Sequence, residues 1–164
     1  MKNKSTSSLL IYLPIGLGDH LRYHGIVREC CKKYGRVGIF SVPRFYPSVS
    51  FMYRDIENLT IIKGNYEKGE YTFARKFIFL NKFKLGKYKY GEVKVLENKN
   101  LDKYSGVTFE EQLYRLAGVD FSKKWGSFFV ERDYDKEKNI FEQFAPKGDF
   151  VFVHEDVGRG MFIN

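Results

Sequence analysis

Five consecutive apolar residues, Leu9-Leu10-Ile11-Tyr12-Leu13, run without polar alternation into Pro14 and then Gly16-Leu17-Gly18-Asp19. An apolar run of this length bounded by turn residues is the mark of a strand covered on both faces. Such a strand needs helices above and below its sheet, which restricts the chain to an α/β architecture. From Asp19 onward, apolar residues recur at Tyr23, Ile26, Val27, Cys30 and Tyr34, one stripe of a helix that Gly35 would stop. A second buried run at 37–42 follows at once and is closed by Pro43. Strand, glycine turn, helix and strand in this order make a parallel unit of right-handed connection.

The same alternation continues. Residues 47–53 read as a short helix, 59–62 as a third strand and 76–80 as a further strand. Thr108 and Glu111 have capping-box spacing ahead of Leu113, Leu116 and Ala117, with Gly118 as the stop. Residues 128–130 read as a strand and 135–144 as a polar-faced helix. After the break Pro146-Lys147-Gly148, an apolar run at 150–153 predicts a last strand entering the loop from His154 to Gly160. The pattern predicts a Rossmann-like open sheet, mostly parallel, with helices on both faces. It places a first domain over 1–146 and the start of a second over 147–164.

At 164 residues, 43% of them hydrophobic and 18% aromatic, the chain carries enough apolar surface for a packed core. Its net charge of +8 favours anionic partners. The lysines between Lys63 and Lys103 are scattered singly and no RNA-binding signature is present, so nucleic acid is the less favoured partner. Cys30 and Cys31 are adjacent within a helical stripe, a spacing that suits packing rather than a framework disulfide or zinc pair. The polar start and the short apolar run after it predict a cytoplasmic protein with no leader or membrane span.

The chemistry concentrates in the first turn. Gly16 and Gly18 allow close approach of a ligand to the backbone, and the helix start beside them offers free N–H groups to an anion or a sugar hydroxyl. The dinucleotide fingerprint fails because Leu21 stands where the third glycine belongs, and no Gly-Lys-Ser/Thr follows for a P-loop. Asp19 reads either as a helix cap or as a general base at the carboxyl end of a parallel strand, where such sheets bind ligands. His20 and His24 lie four residues apart, as in metal-binding pairs, but the zincin glutamate and a third ligand are missing, so no metal is expected. Each histidine is a candidate substrate contact and equally a packing residue. Arg44 follows the second strand and is a candidate anion contact at the same edge. His154, Gly158 and Arg159 form a second anion-friendly loop, beside the acidic pair Glu155 and Asp156.

The opening Leu9-Leu10-Ile11-Tyr12-Leu13-Pro14-Ile15-Gly16-Leu17-Gly18-Asp19-His20, with its amphipathic helix and the second strand ending near Pro43-Arg44-Phe45, resembles the start of heptosyltransferase-like glycosyltransferases of the GT-B type. The closing 150–156, followed by Gly158-Arg159-Gly160, is similar to the first strand and loop of the second domain in related glycosyltransferases. The resemblance implies the N-terminal, acceptor-side half of a GT-B fold. It implies inverting transfer of a sugar from a nucleotide-sugar donor to an acceptor hydroxyl, with Asp19 as base. It implies no cofactor beyond the donor as co-substrate, and substrate contacts at Gly16, Gly18, His20, His24 and Arg44. His154, Gly158 and Arg159 would lie at a donor or interdomain loop, and the donor-binding half would come from a further domain or a partner copy. The rival reading is a non-catalytic Rossmann-like module that binds a nucleotide or glycan.

Overall fold

Leu9, Leu10 and Ile11 are each 0% exposed, so the first apolar run is covered on both faces. In the computed structural model, which describes residues 5–13, 16–64, 70–82, 89–96, 106–144 and 148–149, this run is the heart of β1 (Ser5–Tyr12). The chain divides into two compact units, Met1–Glu131 and Arg132–Asn164. In the first unit β1 is followed by α1 (Leu17–Arg22), α2 (His24–Lys33), β2 (Tyr34–Ser41), α3 (Tyr46–Met52), β3 (Leu59–Lys63), α4 (Glu70–Lys82), β4 (Glu92–Val95), α5 (Phe109–Ala117) and α6 (Lys123–Gly126). The second unit contains α7 (Tyr134–Phe144), whose Ile140, Phe141 and Phe144 are exposed.

The four strands form one sheet in the order β3-β2-β1-β4, and every pairing is parallel. Leu9 lies between Val37 of β2 and Glu92 of β4, and Val37 in turn pairs with Leu59 of β3. Alternate side chains go to opposite faces. Leu9, Ile11, Leu13, Val37 and Ile39 pack with Tyr23, Ile26, Val27 and Cys30 of the α1–α2 segment, with Val49 of α3, and with Leu113 and Tyr114 of α5. Leu10, Tyr12, Phe40 and Val42 pack on the other face with Ala74 of α4 and with Tyr90. Full burial of each large side chain contributes about 1.5–3 kcal/mol, so the two faces together supply the stabilisation of the unit.

Several expectations change. Residues 76–80 lie within helix α4: Ala74, Phe77 and Ile78 face the sheet at helical spacing while Phe79 is 60% exposed, a period no strand produces. Residues 128–130 form no strand, and this segment is tied to α2 through the Phe129 carbonyl. Gly35 does not stop a helix but lies inside β2, because the helix has ended at Lys33. β4 was not foreseen; its Glu-Val-Lys-Val alternation puts Val93 and Val95 on the core while Lys94 reaches the Ala117 carbonyl at 2.7 Å. The α5 expectation holds, with Thr108 Oγ1 accepting the Glu111 N–H at 3.2 Å and Gly118 at φ +70°. The strand expected at 150–153 lies outside the described residues. No helix among the described residues is long and apolar enough to cross a membrane.

Candidate functional site

The sheet order reverses direction at β1: the chain moves from β1 to β2 and β3 on one side, then crosses back to β4 on the other. In open α/β sheets ligands bind outside the carboxyl ends of the strands at such a reversal. The turn after β1 therefore occupies the position where this fold binds ligands. It carries Gly16, Gly18 and Asp19.

Helix α1 begins at Leu17, two residues earlier than expected, so Asp19 is its third residue and Gly16 its N-cap. The Asp19 carboxylate reaches back and its Oδ2 accepts the Gly16 backbone N–H at 3.3 Å. Gly16 has extended backbone (φ −69°, ψ 151°), and Gly18 also avoids positive φ, so neither glycine is required for a left-handed turn. Gly16 matters for another reason: a Cβ there would stand 2.9 Å from Asp19 Oδ2 and the carboxylate would have to shift. Gly18 is exposed, with nothing within 4 Å of a Cβ. Among the described residues no bond to Asp19 Oδ1 occurs. Arg44 is exposed at the carboxyl end of β2, beside β1, with its guanidinium 4.6 Å from the centre of the Phe45 ring.

His20 and His24 lie beneath this turn and are each 0% exposed. They belong to two helices, because the segment breaks at Tyr23. Burial lowers the His20 pKa to about 4, with the neighbouring His24 adding to the shift, and neither ring nitrogen has a partner among the described residues. His24 is also lowered to about 4, first by burial, against an opposing pull from the Phe129 carbonyl. Its ring stacks on Tyr53 at 4.7 Å and meets Phe128 at 4.6 Å. Arg28 Nε donates to His24 Nε2 at 2.7 Å, and the Phe129 carbonyl lies 2.8 Å from the same nitrogen. One nitrogen cannot accept the first bond and donate the second. The assignment that satisfies more groups puts the hydrogen on Nδ1 and lets Arg28 Nη2 donate to the Phe129 carbonyl. Neither histidine presents a ring to solvent, so their place in this structure is in packing behind the turn. No group of three His, Cys, Asp or Glu side chains that could hold a metal occurs among the described residues.

Cys30 and Cys31 are buried free thiols, and burial raises Cys30 to about 11, which keeps it protonated and inert. A recess of about 280 Å³ lined by Arg28, Cys31, Lys32, Asp55 and Asn58 lies at the amino ends of β2 and β3, the opposite end of the sheet from the glycine turn. Asn58 there donates to the carbonyls of Cys31 and Tyr34 at 2.9 and 2.8 Å, a structural clasp.

A feature that no sequence spacing announced lies between α1, α5 and α6. Leu21 and Arg22 from the end of α1, Glu110 from the first turn of α5, and Lys124, Trp125 and Phe128 in and after α6 surround a groove of about 250 Å³. Arg22 Nε lies 3.3 Å from Glu110 Oε1, and Lys124 pairs with the other oxygen of the same carboxylate. Trp125 is 71% exposed, and the Lys124 ammonium lies 4.7 Å from its ring centre. His154, Gly158 and Arg159 lie outside the described residues. No protein-family model, no curated protein and no solved structure matches the chain.

Proposed function

We propose that this chain is the acceptor-side domain of a glycosyltransferase, in which Asp19 takes the proton of an acceptor hydroxyl as that oxygen attacks the anomeric carbon of a nucleotide-sugar donor. The new C–O bond forms as the bond from the anomeric carbon to the diphosphate breaks, and the nucleoside diphosphate leaves with the electron pair. The observation that carries the reading is the position of Gly16–Asp19 at the reversal point of a parallel sheet, with one Asp19 oxygen held by the Gly16 N–H and the other without a partner among the described residues. An exposed Arg44 at the neighbouring strand end supports it, because a cation there favours the charge that develops on the leaving diphosphate. A positioned general base contributes about 10²–10⁴ in rate, so Asp19→Asn should lower transfer by that factor without loss of fold. The test is product formation from a panel of nucleotide sugars and acceptors, with and without EDTA, in the parent and the Asn variant. Transfer unchanged by Asp19→Asn would sink the role of base.

The second reading is a binding module without turnover. The bond from Gly16 N–H to Asp19 favours it, since it gives the carboxylate a structural duty in closing the turn. It predicts saturable glycan or nucleotide binding with no product from any pair, and binding that survives Asp19→Asn.

A further inference from the structure

The groove between α1, α5 and α6 combines an apolar floor with an uneven set of charges. Leu21, Trp125 and Phe128 are 45%, 71% and 37% exposed, so a large apolar surface is held open to solvent beside a concave wall. At its rim a single carboxylate, Glu110, faces two cations, Arg22 and Lys124, which leaves one positive charge in excess. Among the described residues Arg22 meets Glu110 through Nε, and its side chain is 54% exposed. The volume of about 250 Å³ suits one small ligand rather than a peptide segment. An indole face flanked by alternating donors and an acceptor matches a pyranose ring, whose C–H face is apolar and whose edge carries hydroxyls. The excess positive charge adds a preference for a ring that bears a carboxylate or phosphate.

We propose that this groove is a subsite for one anionic sugar ring, stacked on Trp125 with its charged substituent toward Arg22 and Lys124. The proposal rests on the glycan-handling reading above and narrows it to an acidic sugar. The location fits that reading: Arg22 is one helical turn from Asp19, about 5 Å along the same face of α1. Tyr23, the residue after Arg22, is buried, and its hydroxyl is raised above the usual range by burial and by the carboxylates of both Asp19 and Glu110.

Trp125 is the only tryptophan of the chain, so its fluorescence reports this groove alone. The full chain is titrated with tetragalacturonate, with maltotetraose as the neutral sugar and with inorganic phosphate as the anion without a ring. The expected result is a saturable blue shift with tetragalacturonate, about tenfold weaker affinity for maltotetraose, and no shift with phosphate. Arg22→Gln and Lys124→Gln should each weaken tetragalacturonate binding about tenfold with the blue shift at saturation retained. Trp125→Phe, followed by calorimetry, should bind about tenfold more weakly while unfolding at the parent's temperature.

Three results would overturn the subsite. A shift reproduced by phosphate alone would mark a bare anion contact. A shift that grows with protein concentration in the absence of sugar would mark a contact between copies of the chain. No shift with any sugar from a folded protein would leave the groove without this role. The titration needs no turnover, which separates it from the transferase reading. Sugar transfer without a shift overturns the subsite alone, and a shift accompanied by transfer that Asp19→Asn leaves unchanged keeps the subsite and removes Asp19 as the base.

Discussion

Asp19 Oδ2 accepts the backbone N–H of Gly16 at 3.3 Å, and a Cβ on Gly16 would stand 2.9 Å from that same oxygen. The two glycines of the turn therefore have different duties. Gly16 makes room for a carboxylate that folds back on the turn, whereas Gly18 sits in the helix with open space around it.

This difference predicts opposite outcomes for two alanine variants. Gly16→Ala should push the Asp19 carboxylate off its N–H and cost about 0.5–2 kcal/mol, the usual loss for a helix cap. Gly18→Ala should instead stabilise by about 0.4–1 kcal/mol, since helical backbone suits alanine and the unfolded chain loses freedom. Urea unfolding of both variants measures this. Should Gly18→Ala raise stability yet abolish ligand binding, the bare backbone at Gly18 is a ligand contact. If both variants fall equally in stability, the assignment of separate duties is wrong.

Gly25 is a third glycine with a definite reason. A Cβ there would lie 2.4 Å from the Lys123 carbonyl oxygen and 2.7 Å from the Tyr114 hydroxyl, so α2 meets α6 and α5 at bare backbone. Because a backbone oxygen cannot swing aside as a flexible side chain can, Gly25→Ala should cost about 1–3 kcal/mol. Since α6 carries Trp125, the emission of that residue should shift even in the folded variant. A variant with the parent's stability and spectrum would show that the helices can move apart freely.

Arg28 joins three segments. It forms a bidentate pair with Asp55 at 2.8 and 2.9 Å, donates to His24, and donates to the Phe129 carbonyl. The Asp55 carboxyl is held below its usual range, first by the Arg28 hydrogen bonds. A lysine keeps the charge but loses the planar fork, so Arg28→Lys should cost nearly as much as Arg28→Ala, about 2–4 kcal/mol. Thermal unfolding of the two variants reads this, and a lysine that restored full stability would reduce the network to a charge effect.

The parts that were legible in the sequence are those with a strong local cause. The unbroken apolar run of β1 could be covered only by helices on both faces, and Thr108 with Gly118 bracketed α5 by capping chemistry alone. The run Lys76-Phe77-Ile78-Phe79-Leu80 misled because five residues with four apolar members suit a buried strand and a helix equally. Ala74, just outside that run, completes the helical stripe. β4 is only four residues long and charged at alternate positions, so its identity comes from pairing with β1 rather than from propensity. Asp19, Gly16 and Arg44 could be placed at one sheet edge because each follows a strand directly. The sequence offered packing and substrate contact equally for His20 and His24, since their spacing is the same on a wet face and a dry one, and both are buried. The groove of Leu21, Glu110 and Trp125 was invisible for a different reason: α1, which supplies Leu21, lies far in sequence from α5 and α6.

The two buried histidines predict acid sensitivity in a defined window. His20 faces His24. His24 faces Arg28 and Asp55, stacks on the Tyr53 ring, and lies against the Phe129 carbonyl. Both have pKa values lowered from 6.5 to about 4 in the folded state, chiefly by burial. Below pH 6.5 the unfolded chain takes up these protons before the folded one does. Stability is therefore full above about pH 6.5 and falls as pH drops toward 4, by up to about 3 kcal/mol for each histidine. The carboxylates of Asp55 and Glu29 are also lowered in the folded state, but their contribution is lost only as pH falls below their unfolded values near 4. Urea midpoints at pH 7.5, 6.0 and 5.0 isolate the histidine window. The midpoint should fall at each step, and His20→Leu should flatten the fall because an apolar side chain at that site has no proton to gain. A midpoint that stays constant from pH 7.5 to 5.0 would mean that at least one ring finds a partner for its charge in the folded protein.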